Sequence, residues 1–156
     1  MNTILMPIDF SEATGPAVDF VAGLASQVDV EVRVLHVSGA ELDDPIQGRE
    51  VLMPRVDEIV DRLKKSGCKA TAHLVFGPPA ASILDQIDVR TPSLVVMGSH
   101  GHSALHDLMM GSVTHSVLRS GKCPLLIVPS PRPEWGPSPE DAAAGATDDF
   151  YGFPGM

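Results

Sequence analysis

The sequence predicts an α/β fold in which a five-stranded parallel sheet lies between helices. Two observations lead to this prediction. Segments with strand-like and helix-like patterns alternate along the first 129 residues, and such alternation favours parallel strands joined by crossover helices. Two of the strand-like segments, 93–98 and 124–129, are almost wholly apolar, as expected for strands buried on both faces. No internal repeat is visible.

Five strands are predicted from apolar runs or from alternation. The first, 3–8 (TILMPI), is a short apolar run that ends at DFSEATGP. The second, 30–37 (VEVRVLHV), alternates and is rich in β-branched residues, which is typical of a strand. The third, near 69–76, ends at a Gly-Pro-Pro turn, and the two apolar segments complete the sheet.

Four helices are predicted between these strands. Ser11 can cap a first helix that starts near Glu12, and a polar loop through DDPIQG precedes a second helix that ends at Ser66-Gly67. The third helix runs from about Ala80 to Ile87, and the fourth covers about 112–120. The residues that give the first two helices their apolar stripes are Ala17, Val18, Val21, Leu24, Val56, Ile59, Val60 and Leu63.

The composition excludes several classes of protein. Lys and Arg total 11 against 20 Asp and Glu, a formal net charge of −9; this argues against a nucleic-acid binder, because that affinity rests on cationic side chains. No apolar run approaches the roughly 20 residues that span a bilayer, and MNTILMPIDF lacks the pattern of a signal peptide. Cys68 and Cys123 form neither a disulfide scaffold nor a metal-binding spacing. We therefore expect an acidic cytoplasmic protein that binds no nucleic acid and does not insert into a membrane.

Residues 130–156 form a separate compositional zone. They contain five Pro and four Gly among 27 residues, with five acidic residues against Arg132, a composition typical of disordered chain. The sequence therefore predicts a body, 1–129, followed by a flexible acidic tail, 130–156. Two interpretations of the tail stay open: a solvated appendage without a role, or a docking peptide, because DDFYGF is both acidic and aromatic.

The segment after the fourth strand carries the most specific pattern. Gly98-Ser99-His100-Gly101 is followed by nine residues and then by Gly111-Ser112-Val113, which open a helix. Glycines let the backbone approach a ligand closely, and free N–H groups at a helix N-terminus suit a phosphate. The Ser112 hydroxyl can donate to the same group or cap the helix. Because ligands of open α/β sheets bind at the carboxyl ends of the strands, the sequence predicts a phosphate site here.

The spacing G-x2-G-x9-G-[ST] after the fourth strand resembles the nucleotide-binding signature of universal stress proteins. The resemblance covers about residues 2–129 and includes ILMPIDFSE, VLHV, VMGSHG, GSVTHSVL and KCPLLIVP. It implies a Rossmann-like fold of the adenine nucleotide alpha hydrolase type. It also implies a homodimer formed by pairing the last strand, Leu125–Val128, across a two-fold axis.

The resemblance further implies a site for ATP, or for AMP or cyclic AMP. Asp9 matches an acid on the ribose or adenine side of the ligand, although an Asx-type turn before the first helix also explains it. Val37 and Met97 match residues that contact adenine, but an ordinary strand end and plain core explain them as well. The implied ligand-binding residues are Pro7, Ile8, Asp9, Val37, Met97, Gly98, Gly101, His102, Gly111, Ser112 and Val113.

His102 stands where many members of the family have a basic residue. The loop has no Lys or Arg and contains Asp107, so phosphate binding would depend on backbone N–H groups, on Mg²⁺ held through the phosphates and on protonation of His102. This predicts tighter ATP binding at about pH 6 than at about pH 8.

No catalytic constellation is found. His100, His102, His106 and His115 fall within sixteen residues, but exposed loop histidines explain them better than a zinc site does. Neither a Ser-His-Asp order nor a carboxylate pair in a cleft is present. We therefore expect a homodimeric, ATP-binding sensor or regulator of the stress response rather than an enzyme, with slow ATP hydrolysis as a lesser alternative. The other alternative is a nucleotide-independent interaction module that acts on a client protein, such as a transporter, through its surface or tail.

Overall fold

The structure, a computed structural model, describes residues 2–39, 45–99 and 110–129. Within these residues, strands and helices alternate along the chain. The strands are β1 (Asn2–Ile8), β2 (Val30–Ser38), β3 (Lys69–Phe76), β4 (Leu94–Gly98) and β5 (Leu125–Val128). The helices are α1 (Thr14–Ala25), α2 (Pro45–Lys65), α3 (Pro79–Arg90) and α4 (Ser112–Ser120). All strand pairs are parallel, which confirms the predicted fold class.

The strands lie in the order β3-β2-β1-β4-β5, so β1 is the centre of the sheet. It pairs with β2 along its whole length, with Ile8 opposite His36, and with β4 through Ile4 and Leu5. The order reverses between β1 and β4. In open α/β sheets such a reversal leaves a crevice at the carboxyl ends of the strands, where ligands bind.

Two apolar layers cover the two faces of the sheet. On one face, α1 and α2 pack on the even-numbered residues of β1 and β2, among which Met6, Val32 and Val34 are fully buried. On the other face, α3 and α4 cover Leu5, Leu35 and residues of β4. Burying one such side chain contributes about 1.5–3 kcal/mol, so the two layers fix the relative positions of β1, β2 and β4.

The starts of two helices differ from the prediction. Ser11 is not the cap of α1: the N-cap is Ala13, and the helix begins at Thr14, because the chain first makes a turn in which the Ser11 N–H donates to the Asp9 carboxylate. Part of the predicted DDPIQG loop is helical, since α2 begins at Pro45. Proline suits a first helical position because its missing N–H has no intrahelical acceptor there.

The described residues leave some predictions without a test. The tail, 130–156, lies outside them, as do residues 40–44 and 100–109. Among the residues that are described, no helix combines the length and the hydropathy that a membrane span requires.

Candidate functional site

A cavity of about 280 Å³ opens at the carboxyl ends of β1, β2 and β4. This volume is close to the lower end of the range of roughly 300–1,000 Å³ that is usual for ligand pockets. It lies where the strand order reverses, between the start of α1 and the start of α4. The lining residues are Pro7, Ile8, Asp9, Ala13, Thr14, Ala17, Leu35, Val37, Pro79, Ile83, Met97, Gly98, Gly111, Ser112, Val113 and Thr114.

One part of the cavity is an apolar slot. Leu35 and Val37 from β2, Met97 from β4 and Ile83 from α3 supply its walls. Leu35, Met97 and Ile83 are themselves buried, and they belong to the layer under α3 and α4. Rigid apolar walls of this kind suit a flat, largely apolar group such as a nucleobase.

The opposite part of the cavity is the N-terminus of α4. Among the described residues, the backbone N–H groups of Ser112, Val113 and Thr114 have no acceptor, as expected for the first turn of a helix. The Thr114 hydroxyl donates to the Gly98 carbonyl at 3.1 Å and so fixes the helix start against the end of β4. The amides and the positive end of the helix dipole therefore present an anion site to the cavity.

Gly111 and Ser112 differ from the expectation in two details. The Gly111 N–H is not available to a ligand, because it donates to the Ser99 carbonyl at 2.8 Å. Ser112 is the first helical residue, and α4 has no side-chain cap, so the capping role considered for its hydroxyl is wrong. Gly111 has φ −57° and ψ 149°, which any residue can adopt; its conformation does not require glycine.

Gly98 is required by packing rather than by a turn. A Cβ added at this position would lie less than 3.0 Å from the Cβ of Ala13. The end of β4 and the start of α1 therefore approach each other so closely that no larger residue fits at position 98 without a shift. This contact closes one wall of the cavity, a role that the sequence pattern did not indicate.

The turn between β1 and α1 holds the carboxylate of the site. Asp9 lines the cavity, and its Oδ1 accepts a hydrogen bond from the Ser11 N–H at 3.0 Å. The next residue, Phe10, has φ 59°, a left-handed conformation that costs a bulky residue about 1–3 kcal/mol. The Asx-type turn considered for Asp9 is therefore present, and it leaves this residue at the cavity.

The ring of Phe10 points to the face of the sheet that α1 and α2 cover, where it packs on the core. It stacks on His36 with 4.5 Å between centroids and an angle of 44°. The Arg55 guanidinium of α2 lies 4.0 Å from the ring centroid, a contact worth about 0.5–1 kcal/mol at an exposed site. His36 is buried, and its Nδ1–H donates to the Ile8 carbonyl at 2.9 Å.

Comparison with known proteins identifies the family. The model of the universal stress protein family matches residues 1–129. The chain belongs to the universal stress protein family.

Two relatives and one further solved structure place this universal stress protein among known members. It is 33% identical over 145 residues to the universal stress protein YxiE of Bacillus subtilis (strain 168), covering 81% of this chain and 98% of that one. The solved structure of MJ0577, from Methanocaldococcus jannaschii, superposes with a TM-score of 0.76 at 27% identity, covering 84% of this chain and 97% of that one. The universal stress protein of Archaeoglobus fulgidus in complex with dAMP has a TM-score of 0.64 at 20% identity, covering 82% and 98%.

The cavity of this universal stress protein brings together nine of the eleven residues implied as ligand-binding. Gly101 and His102 lie outside the described residues. Seven lining residues were missed: Ala13, Thr14, Ala17, Leu35, Pro79, Ile83 and Thr114. Pro79 follows the Gly77-Pro78 turn after β3 and is the first residue of α3, a position that could have been used as a signal. The helix residues face the cavity only because of tertiary packing, which no local pattern reveals.

The described histidines and cysteines show no competing site, and His100, His102 and His106 lie outside the described residues. No group of three or more His, Cys, Asp or Glu able to hold a metal ion occurs within 2–39, 45–99 and 110–129, and His115 is exposed on α4. Burial raises the pKa of the Cys123 thiol, whose Sγ donates to the Pro92 carbonyl at 3.1 Å. A raised pKa lowers the thiolate fraction, so Cys123 is a poor nucleophile.

Proposed function

We propose that this universal stress protein binds an adenine nucleotide in the cavity, ATP or alternatively AMP or cyclic AMP, and that it acts in the cytoplasm as a homodimeric regulator of the stress response. The observation that carries the proposal is the continuity of an apolar slot with three helix amides that have no acceptor within the described part of the chain. A nucleotide has the same two-part chemistry, an apolar base and an anionic phosphate. The complex of the Archaeoglobus fulgidus relative with dAMP supports the same ligand class.

Each part of the ligand has a partner in the proposed complex. The base lies between Pro7, Val37 and Met97, and the ribose hydroxyls reach Asp9, which lines the cavity beside the slot. The phosphate next to the ribose accepts hydrogen bonds from the amides of Ser112 and Val113. Neutral amides bind a phosphate without cationic side chains because they are already oriented and need no counter-charge.

Mg²⁺ fits this site only through the phosphates. Asp9 is the single carboxylate among the described lining residues, and its Oδ1 already accepts from Ser11. Mg²⁺ keeps most of its waters and binds through one or two carboxylates plus substrate phosphates. We therefore assign no protein residue to the metal; its chemistry is to neutralise the charge of a polyphosphate.

Nucleotide analysis tests the proposal directly. The purified protein is denatured, the released small molecules are identified by chromatography, and the emptied, refolded protein is titrated calorimetrically with ATP, AMP and cyclic AMP. We expect one of the three nucleotides to bind and to raise the melting temperature of the protein. Absence of any bound nucleotide and of any shift would reject the proposal and favour the nucleotide-independent interaction module. Release of phosphate from ATP above background would favour slow hydrolysis.

The variant Ser112→Pro removes one of the three N–H groups without disrupting the helix. Proline is well tolerated at the first helical position, and Gly111 already has the extended conformation that a residue before proline needs. We expect nucleotide affinity to fall about tenfold, the effect of losing one charge-assisted hydrogen bond, with the melting temperature unchanged. Ser112→Ala is the control, because it removes only the hydroxyl.

The proposed homodimer uses the open side of β5. Within the described residues β5 pairs only with β4. The Val95 N–H of β4 donates to the Pro124 carbonyl, and the N–H of Ser99, directly after β4, donates to the Val128 carbonyl. By the alternation of a parallel ladder, Leu125 and Ile127 then present their backbone groups to the open side. Ile127→Pro removes one of these donors at a position where an edge strand tolerates proline. We expect a dimer for the unmodified chain and a monomer for the variant in light scattering; a monomer for both would reject the dimer.

A further inference from the structure

We infer that Phe10 is a positioning residue of the nucleotide site: its ring, held between His36 and Arg55, keeps the Asp9–Ser11 turn at the mouth of the cavity. The inference rests on the proposed function for the role of Asp9. The contacts that carry it lie away from the cavity, however, since neither Phe10 nor His36 nor Arg55 is among its lining residues.

The left-handed backbone of Phe10 has little local support. Among the described residues other than glycine, only Phe10 and Thr91 have positive φ. Thr91 is the C-cap of α3, and its N–H donates to the Ile87 carbonyl, so it makes an ordinary helix end. Phe10 is instead the central residue of the turn after β1, spanned by the exposed hydrogen bond from the Ser11 N–H to Asp9. A strained residue persists only where its surroundings hold it, and beyond this bond the contacts of Phe10 are those of its ring.

Those partners connect the ring to two elements. His36, 4.5 Å from the ring, donates to the carbonyl of Ile8, the last residue of β1. Arg55 lies 4.0 Å above the ring, and it forms no ion pair within the part of the chain that the structure describes. The ring is therefore fixed to the sheet through His36 and to α2 through Arg55.

The left-handed bend separates two neighbouring side chains. It sends the ring of Phe10 to the core under α1 and α2, while Asp9 stays at the cavity and accepts from the Ser11 N–H. Without the ring, the turn would lose the contacts that compensate its strain, and the carboxylate would sample other positions. Arg55 is not among the lining residues of the cavity, and its contact with the ring connects it to the turn.

Nucleotide affinity and melting temperature of five variants test the inference. Phe10→Ala removes the ring but keeps the Cβ and so the backbone strain. We expect it to weaken binding about tenfold and Arg55→Met about threefold, and the double variant to bind no worse than Phe10→Ala alone, since coupled residues are not additive. Phe10→Tyr keeps the ring and should bind like the unmodified chain. Arg49→Met, which removes another exposed arginine of α2, is the matched control and should change nothing. Unchanged affinity in Phe10→Ala, or fully additive losses in the double variant, would overturn the inference.

A second measurement needs no ligand and separates this inference from the proposed function. The Ser11 amide is protected from hydrogen exchange by its bond to Asp9. In the nucleotide-free protein we expect about tenfold faster exchange at Ser11 in Phe10→Ala, and no change in Arg49→Met. If the unmodified chain bound no nucleotide, the proposed function would fail, and unchanged Ser11 exchange in Phe10→Ala would independently overturn the positioning role.

Discussion

The two ends of the sheet differ in how the backbone groups of the adjoining helix termini are hydrogen-bonded. At the amino end, where helices finish, carbonyls of the last turns are paired: Ala22 accepts from Ser26, Ile87 from Thr91 and Leu118 from Gly121. At the carboxyl end, α1, α3 and α4 are the helices with described N-caps, and none of the three has a side-chain cap.

This difference indicates that the helix termini at the amino end of the sheet serve stability, whereas those at the carboxyl end are left to bind a ligand. A side-chain cap at a helix N-terminus stabilises a protein by about 1 kcal/mol, and α1, α3 and α4 have no such cap. The N–H groups in the first turn of α4, which have no acceptor among the described residues, face the cavity, and the strained Phe10 lies at the same end of the sheet. Departures from locally optimal sequence are expected at functional sites, and here they concentrate at one end of the sheet.

The largest effect is expected for Gly98→Ala at the carboxyl end. The new methyl would overlap the Ala13 side chain, and overpacking of this kind costs about 1–3 kcal/mol. We expect a melting temperature lower by roughly 2–12 °C and a loss of nucleotide binding, because the wall between β4 and α1 must move. Calorimetric unfolding and titration measure both.

Two further variants make that experiment decisive. Ala13→Gly combined with Gly98→Ala moves the methyl from one side of the contact to the other, and we expect it to restore most of the binding. Gly121→Ala at the amino end has open space but a positive φ of 61°; it should cost about 1 kcal/mol and leave affinity intact. If Gly121→Ala reduced binding as Gly98→Ala does, the two ends would not be functionally distinct.

Gly111→Asp supplies the missing cap of α4. The extended φ and ψ of Gly111 suit an N-cap residue, so the carboxylate should accept from the free amides and raise stability by a few tenths to about 1 kcal/mol. Occupied amides and an added negative charge should lower nucleotide affinity more than tenfold. Stability and affinity are thus expected to move in opposite directions.

Matched substitutions at Gly111 separate the two causes. Gly111→Asn caps without charge and should lower affinity less, while Gly111→Ala does not cap and should be the least stable of the three. A Gly111→Asp protein that bound nucleotide as tightly as the unmodified chain would show that the ligand does not use the α4 amides.

The smallest effect is expected for Asp29→Asn at the amino end. Lys69 donates to Asp29 at 2.7 Å and holds the pKa of this carboxyl below its ordinary value. A lowered folded-state pKa contributes stability above the unfolded pKa, which is lost as pH falls through the lower value. Both side chains are largely exposed, so the contribution is small. Unfolding curves below about pH 4 should depend less on pH in the variant, and binding at neutral pH should not change.

Local sequence patterns predicted the elements best where a single rule decides them. The bounds of β3 and α4 agree with the prediction, because the Gly-Pro-Pro turn marks the end of β3 and the Gly-Ser pair marks the start of α4. The start of α1 was missed because Phe10 takes a left-handed backbone. That conformation depends on His36 and Arg55, which are distant in the sequence and meet Phe10 only in the folded chain.

The candidate site shows the same limit. Gly98 is part of the predicted pattern, but its packing against Ala13 could not be inferred, because no pattern relates the end of β4 to the start of α1. The helix N-terminus at Gly111 and Ser112 was expected to offer free N–H groups to a phosphate, yet the Gly111 N–H donates to the Ser99 carbonyl. A pattern of glycines indicates that another group comes close to the backbone. It does not show whether that group belongs to a ligand or to another part of the chain.

The central position of β1 has a consequence for the order in which the protein can form. Its partner β4 begins at Leu94, opposite Ile4 and 90 residues later in the chain. At a synthesis rate of roughly 5–20 residues per second, β4 emerges roughly 5–18 s after β1. During this interval one side of β1, whose residues Ile4, Leu5 and Met6 are buried in the folded protein, has no neighbour, so the strand of the newly made chain is open to pairing with other chains.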